Sequence, residues 1–164
     1  GNGTVHHLVM ELIKTQHRVF ATHIPYNGSV QALADVMSGR IDFMFIDGAI
    51  VLPQIRAGRV KPIAVTGSRR SPLLPDVPAM TEFDPAIDLQ AWQTIAAPTG
   101  TPAEIVARLN AELNKALGET TVLKRFLDFG METMPGTPEQ FRAFARTEAQ
   151  RWGPIIRDNR ITLD

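Results

Sequence analysis

Three short stretches of this sequence carry groups suited to holding an anion. The first is Gly1-Asn2-Gly3-Thr4, set directly before residues spaced as on a helix: His7, Leu8, Glu11 and Leu12. Free N–H groups at a helix start, with the helix dipole, favour a carboxylate, and glycine lets a ligand approach the backbone closely. The same stretch also reads as an ordinary loop with a threonine cap. It lacks the further glycines or the Gly-Lys-Ser/Thr ending of dinucleotide and phosphate loops. The second and third stretches are Pro25-Tyr26-Asn27-Gly28 and Asp47-Gly48, each following a predicted strand. Ligands of open α/β sheets sit outside the carboxyl ends of strands. Tyr26, the only tyrosine, offers a hydroxyl to an oxyanion, and Asp47 suits an ammonium or a bound water. Singly these are turn residues; together the three stretches point to one site.

Other chemistry is sparse. His7 and Glu11 stand four apart, with His6, His17 and His23 near in sequence. There is no His-Glu-x-x-His pattern and no second ligand pair, so the histidines read as surface or capping residues and no metal site is assigned. No cysteine is present and no Gly-x-Ser-x-Gly elbow occurs, so no catalytic residue is assigned and no cofactor is implied. Arg69-Arg70 reads as a solvated loop, and Phe141, Phe144 and Trp152 as core at helical spacing.

The elements that must position these residues alternate. A helix from Thr4 to Lys14 precedes a strand over 19–24. A second helix begins at Ser29 and ends at Gly39, followed by an apolar strand over 41–46. A short helix, 49–56, stops at Gly58, and a strand occupies 61–66. This order marks a parallel α/β sheet with right-handed crossovers. Residues 67–78 are proline-rich and irregular. A strand over 92–97 follows, then a helix opened by Thr101-Pro102 with an apolar stripe of Ile105, Val106, Leu109, Leu113 and Leu117. Helices over 122–129 and from Thr137 onward complete the chain. Three amphipathic helices with one strand imply a sheet supplied by a segment outside this sequence.

Seventeen basic and seventeen acidic residues cancel, leaving no electrostatic footprint for nucleic acid or an anionic membrane. No apolar run approaches the roughly 20 residues needed to span a bilayer, no basic-then-apolar leader occurs, and the opening residues read as a loop inside a longer chain.

These motifs resemble the second lobe of the Bug/TctC family, the extracytoplasmic solute receptors of tripartite tricarboxylate transporters. The likeness runs through Gly1-Asn2-Gly3-Thr4 with His7-Leu8, His23-Ile24-Pro25-Tyr26-Asn27-Gly28-Ser29 and Met44-Phe45-Ile46-Asp47. It continues through Leu52-Pro53-Gln54-Ile55-Arg56-Ala57-Gly58 and Arg70-Ser71-Pro72-Leu73-Leu74-Pro75-Asp76-Val77-Pro78. It then takes in Ala97-Pro98-Thr99-Gly100-Thr101-Pro102, Gly136-Thr137-Pro138-Glu139 and the terminal Ile161-Thr162-Leu163-Asp164. The resemblance implies an α/β, type II periplasmic-binding-protein-like fold. Residues 1–89 would form the second lobe, and 90–164 a strand and helices returning to a first lobe whose N-terminal segment is absent. It implies a periplasmic receptor that captures a small organic carboxylate, a di- or tricarboxylate or an acidic amino acid, and passes it to membrane permease subunits without turnover. Asn2, Gly3 and Thr4 would hold the carboxylate, and Tyr26 and Asp47 would line the opposite wall. Two positions depart from the pattern: many members carry lysine where Asn27 stands, and the acidic residue near Asp47 shifts by one. A ligand-binding sensory domain, or an α/β enzyme with its reactive residue in the missing half, is the alternative. Uncovered helix faces would favour self-association of the chain alone.

Overall fold

Apolar residues recurring every three or four positions set the first helix, α1 (Val5–His17), which buries Val9 and Leu12 and carries Lys14 and His17 in its last turn, where the dipole favours cations. The computed structural model describes residues 1–162. Of the terminal motif Ile161-Thr162-Leu163-Asp164, the last two residues lie outside the described residues. Helices α2 (Ser29–Met37) and α3 (Gly48–Arg56) follow, and each stops where a glycine turns left-handed: Gly39 at φ 76° and Gly58 at φ 66°. Beyond a 3₁₀ turn (Met80–Glu82) come α4 (Ala103–Leu117), α5 (Thr120–Asp128) and α6 (Pro138–Asp158).

The four segments expected as strands do not become paired strands among the described residues. One isolated parallel bridge joins Val65 to Ala79: Val65 N–H donates to Pro78 O (2.9 Å) and Met80 N–H to Val65 O (2.8 Å). A helix bonds within itself, whereas a strand needs a second segment beside it. Phe20, Ile63 and Ile95, which stand in three of those segments, are 91%, 73% and 77% exposed, so no apolar layer covers them.

The chain divides into two units, 1–91 with 151–164, and 92–150. The core of the first is Val9 and Leu12 of α1 against Ile87 and Leu89, with Val5, Ile13, Phe45, Met80, Trp152 and Ile155 packed around it. Two polar ties reinforce it: His17 Nε2 meets Asp84 Oδ2 at 2.9 Å, and Arg151 Nη2 donates to Ala86 O at 2.9 Å. Arg70 is not simply solvated. Its guanidinium forks onto Glu82 (Nε to Oε1 2.7 Å, Nη2 to Oε2 2.8 Å), and Nη1 donates to Pro75 O at 3.2 Å. Glu82 Oε1 also accepts Ala79 N–H at 2.9 Å. One ion pair thus fixes the irregular stretch that proline keeps from forming a helix or strand.

In the second unit Asn110 and Asn114, one turn apart on α4, grip the loop before α6. Asn114 Nδ2 donates to Gly136 O and Gly136 N–H returns to Asn114 Oδ1, both at 2.9 Å, while Asn110 Nδ2 also reaches Gly136 O. Thr137 and Gln140 cap α6 reciprocally, Thr137 N–H to Gln140 Oε1 (2.8 Å) and Gln140 N–H to Thr137 Oγ1 (3.2 Å). The aromatic series of α6 is not one core. Phe141 and Phe144 meet Trp92 edge-on at 5.7 and 5.5 Å, whereas Trp152 packs in the first unit. No residue of α4, α5 or α6 is fully buried, and Ile105 and Leu109 of the predicted stripe lie half exposed.

Replacing Leu89, 2% exposed, by alanine is expected to lower unfolding free energy by about 2–5 kcal/mol in urea titrations. Arg70 and the Ala79 amide hold the Glu82 carboxyl at about 2 against an ordinary 4.5. Stability that is present above 4.5 should therefore drain away as pH falls toward 2, and a Glu82→Gln variant should lack that phase of the pH–stability curve.

Candidate functional site

The start of α1 gathers the three stretches that the sequence singles out. Gly3 takes φ 69°, a left-handed turn that glycine adopts without strain. This turn brings Thr4 back on the loop: its hydroxyl donates to Gly1 O at 2.9 Å, and no side chain caps the helix. Thr4 occupies the N-cap position as expected, but it does not make the cap bond. The first-turn amides of α1 consequently keep no side-chain acceptor, the arrangement in which a helix start attracts an anion. Gly3 N–H is directed elsewhere, to His7 Nδ1 at 3.2 Å.

His7 is not a surface histidine, its side chain being 11% exposed. Its ring lies face to face on His23, centroids 3.9 Å apart and planes 7° from parallel. Nε2 faces the carboxylate of Glu11 at 3.6 Å, and Glu11, itself buried, binds Lys14 Nζ at 2.7 Å. His23 Nε2 meets Asn2 Oδ1 at 3.0 Å, so the segment after α1 reaches back to the opening loop. Burial, then the neighbouring His7 ring, pushes the His23 pKa below its usual 6.5. Stacked rings present faces, not converging lone pairs, and among the described residues no group of three or more histidine or carboxylate side chains is placed to hold a metal.

Asp47 and Tyr26 arrive from the other two stretches. Asp47 stands at the N-cap of α3 without capping it, and Oδ1 faces His6 Nε2 at 3.5 Å. Tyr26 approaches through its backbone: a side chain added at Gly1 would meet Tyr26 O at 3.5 Å. Its hydroxyl is turned to α2, donating to Asp35 Oδ2 at 2.8 Å, while Asp35 Oδ1 accepts Arg40 Nη1 at 3.2 Å. Asn2, Gly3, Thr4 and Asp47 thus border the start of α1, with Tyr26 beside them by its main chain. The sequence reading missed His6, His7 and His23 as the residues that tie these loops together. Their position inside or beside the three stretches was the available signal.

Electrostatically the wall is mixed. An α-helix start supplies partial positive charge, His6 and Asp47 form an ion pair when His6 is protonated, and Asp47 alone would repel a second carboxylate brought against it. The arrangement suits an anion at the helix start with a hydrogen-bond donor toward Asp47.

Residues 1–161 match the family model described as "Tripartite tricarboxylate transporter family receptor". A protein from the tcbD-tcbE intergenic region of Pseudomonas sp. strain P51 is 36% identical over 166 residues, covering 100% of this chain and 49% of that protein. Protein BugT of Bordetella pertussis is 33% identical over 162 residues, covering 98% of this chain and 50% of BugT. Among solved structures, R. palustris Rpa4515 with adipate superposes with a TM-score of 0.85 at 32% identity, over 98% of this chain and 54% of that one. The periplasmic binding protein BugD gives 0.80 at 28%, over 95% and 53%; MatC (Rpa3494) of Rhodopseudomonas palustris with bound malate gives 0.75 at 32%, over 94% and 54%. The chain therefore spans about half the length of each of these proteins, and its architecture is part of their α/β fold.

Because Asp35 accepts the Tyr26 proton, the phenol is held above its ordinary 10.0. With one tyrosine in the sequence, ultraviolet titration reads it directly. An Asp35→Asn variant should bring the midpoint back down toward the ordinary value.

Proposed function

The chain belongs to the tripartite tricarboxylate transporter receptor family, and from that premise we propose that it forms the ligand-binding wall of a periplasmic receptor for a small organic carboxylate. The observation that carries this reading is the meeting, at an uncapped helix start, of the Gly1–Thr4 loop with Asp47 and the main chain at Tyr26. Members of the family are solute receptors, and two similar structures hold the dicarboxylates adipate and malate. A carboxylate would take its donors from the first-turn amides of α1 and from the side-chain amide of Asn2, and the Thr4 hydroxyl would join them only by leaving Gly1 O. Asp47 would select the far end of the ligand, favouring a hydroxyl or ammonium over a second bare carboxylate.

Residues up to about 89 would be the second lobe, and the rest would return to the first. The exposed apolar side chains of α4 and α5, such as Leu109 and Leu127, supply the reason. Amphipathic helices need a sheet to cover, and a first-lobe segment like that in the longer relatives would provide it. Alone, those faces would drive association with a second copy. In the complete receptor a ligand touching both lobes would stabilise the closed state by its differential affinity for that state. Binding of this kind needs no proton transfer, and the closed receptor would deliver its acid to membrane permease subunits.

The test is a thermal-shift panel of small mono-, di- and tricarboxylates, amino acids and divalent metals on protein of the relatives' full length. An acid at 100 times its dissociation constant adds about 2.7 kcal/mol, a rise of several degrees. One selective acid hit without turnover is the expected result, and Asp47→Ala should change which acid is preferred. A panel in which only metals stabilise the protein would overturn the reading.

A further inference from the structure

The opening loop is held from behind by two imidazoles. Because Gly3 N–H donates to His7 Nδ1 at 3.2 Å, that nitrogen bears no proton. The neutral ring then carries its hydrogen on Nε2, facing the Glu11 carboxylate at 3.6 Å. On the far face of His7 lies His23, whose Nε2 meets Asn2 Oδ1 at 3.0 Å. Two consecutive residues of the loop, Asn2 and Gly3, are therefore each tied to one ring of a single stack.

We propose that His7 and His23 are a proton-sensitive positioning pair, fixing the Gly1–Thr4 loop while both rings are neutral and releasing it when His7 gains a proton on Nδ1. The functional weight of this rests on the reading that the loop grips a carboxylate; the device itself does not. A protonated Nδ1 points an N–H at the N–H of Gly3, and a hydrogen bond becomes a donor–donor contact. The charged groups around the stack do not remove the conflict. His23 faces His7, Glu11 and Lys14 of α1 and the amino group of Gly1. Glu11 is the only anion among them, and it is already bound by Lys14 at 2.7 Å. Two imidazolium rings 3.9 Å apart would also repel each other. Burial together with the His7 ring holds His23 below 6.5, which favours the neutral stack near neutral pH. Acidification would then loosen the carboxylate grip without any change in the residues that touch the ligand.

The experiment needs no ligand. In ¹⁵N-labelled protein, long-range imidazole spectra report the tautomer of each ring, and the Gly3 amide resonance reports the loop. At about pH 7.5, above the ordinary imidazole value, His7 should show the Nε2–H tautomer, and the Gly3 amide should move with the midpoint of the His7 ring on acidification. His7→Asn puts a non-titrating acceptor where Nδ1 stands, so Gly3 should stay put down to about pH 5. His7→Leu should leave the Gly3 amide exchanging roughly three- to tenfold faster, the loss of one ordinary hydrogen bond. An Nδ1–H tautomer of His7, or a Gly3 resonance indifferent to its titration, would overturn the proposal. Failure of every acid in the thermal-shift panel would instead remove the carboxylate reading and leave this pair intact.

Discussion

A backbone N–H or C=O withdrawn from water needs a partner, and where each segment of this chain finds one governs what forms. Helices find theirs internally, so all six form from their own sequence. The segments over 19–24, 41–46 and 92–97 would have to borrow theirs from a neighbouring strand. Among the described residues such borrowing begins at Val65, whose amide and carbonyl meet Pro78 and Met80. Leu89 extends the same region by donating to Thr66 O at 2.8 Å, and the buried cluster of Val9, Leu12, Ile87 and Leu89 grows beside it. The same rule acts at the start of α1. There Thr4 turns its hydroxyl away from the helix, and the first-turn amides are left for something outside it.

Helices were legible because their signals are local. Ser29 and Gly39 bracket α2, and α3 runs over Gly48–Arg56 against an expected 49–56. The apolar pattern of α1 ends at Lys14, because Thr15, Gln16 and His17 carry no apolar signal, whereas the helix runs to His17 before Arg18 turns left-handed at φ 53°. Strand pairing was not legible, since alternation of side chains says that a segment suits a sheet and not whether a partner lies beside it. The aromatic spacing of α6 hid a division for a similar reason. Period alone cannot tell that Phe144 meets Trp92 while Trp152 serves the first unit.

The site was half readable. Glycines, a helix start and positions after predicted strands picked out Asn2, Gly3, Thr4, Tyr26 and Asp47, and the structure brings the Tyr26 main chain to Gly1 and the Asp47 carboxylate to His6. From the sequence the Tyr26 hydroxyl is free for an oxyanion, and only the structure reveals Asp35 as its acceptor, nine residues on. The stacking of His7 on His23 joins positions 16 apart across a turn of chain, a distance at which no periodic pattern speaks. The histidines drew attention as metal ligands because that is the pattern short motifs encode. Their face-to-face packing uses the rings as surfaces instead.

The fork of Arg70 on Glu82 also bears on how freely the proline-rich stretch can drift. A lysine at 70 would keep the charge but not the paired, coplanar donors that reach both carboxylate oxygens and Pro75 O together. An aspartate at 82 would fall short of the Ala79 amide that Glu82 also holds. Two exposed positions twelve residues apart thereby constrain each other, as buried neighbours usually do. The exposed side chains between them, such as Asp76, are freed from specifying a helix or strand and can vary as long as the two ends of the clasp persist. Val77 and Ala79, which are buried, and Met80, which packs on the core, are instead held to their size and apolar character.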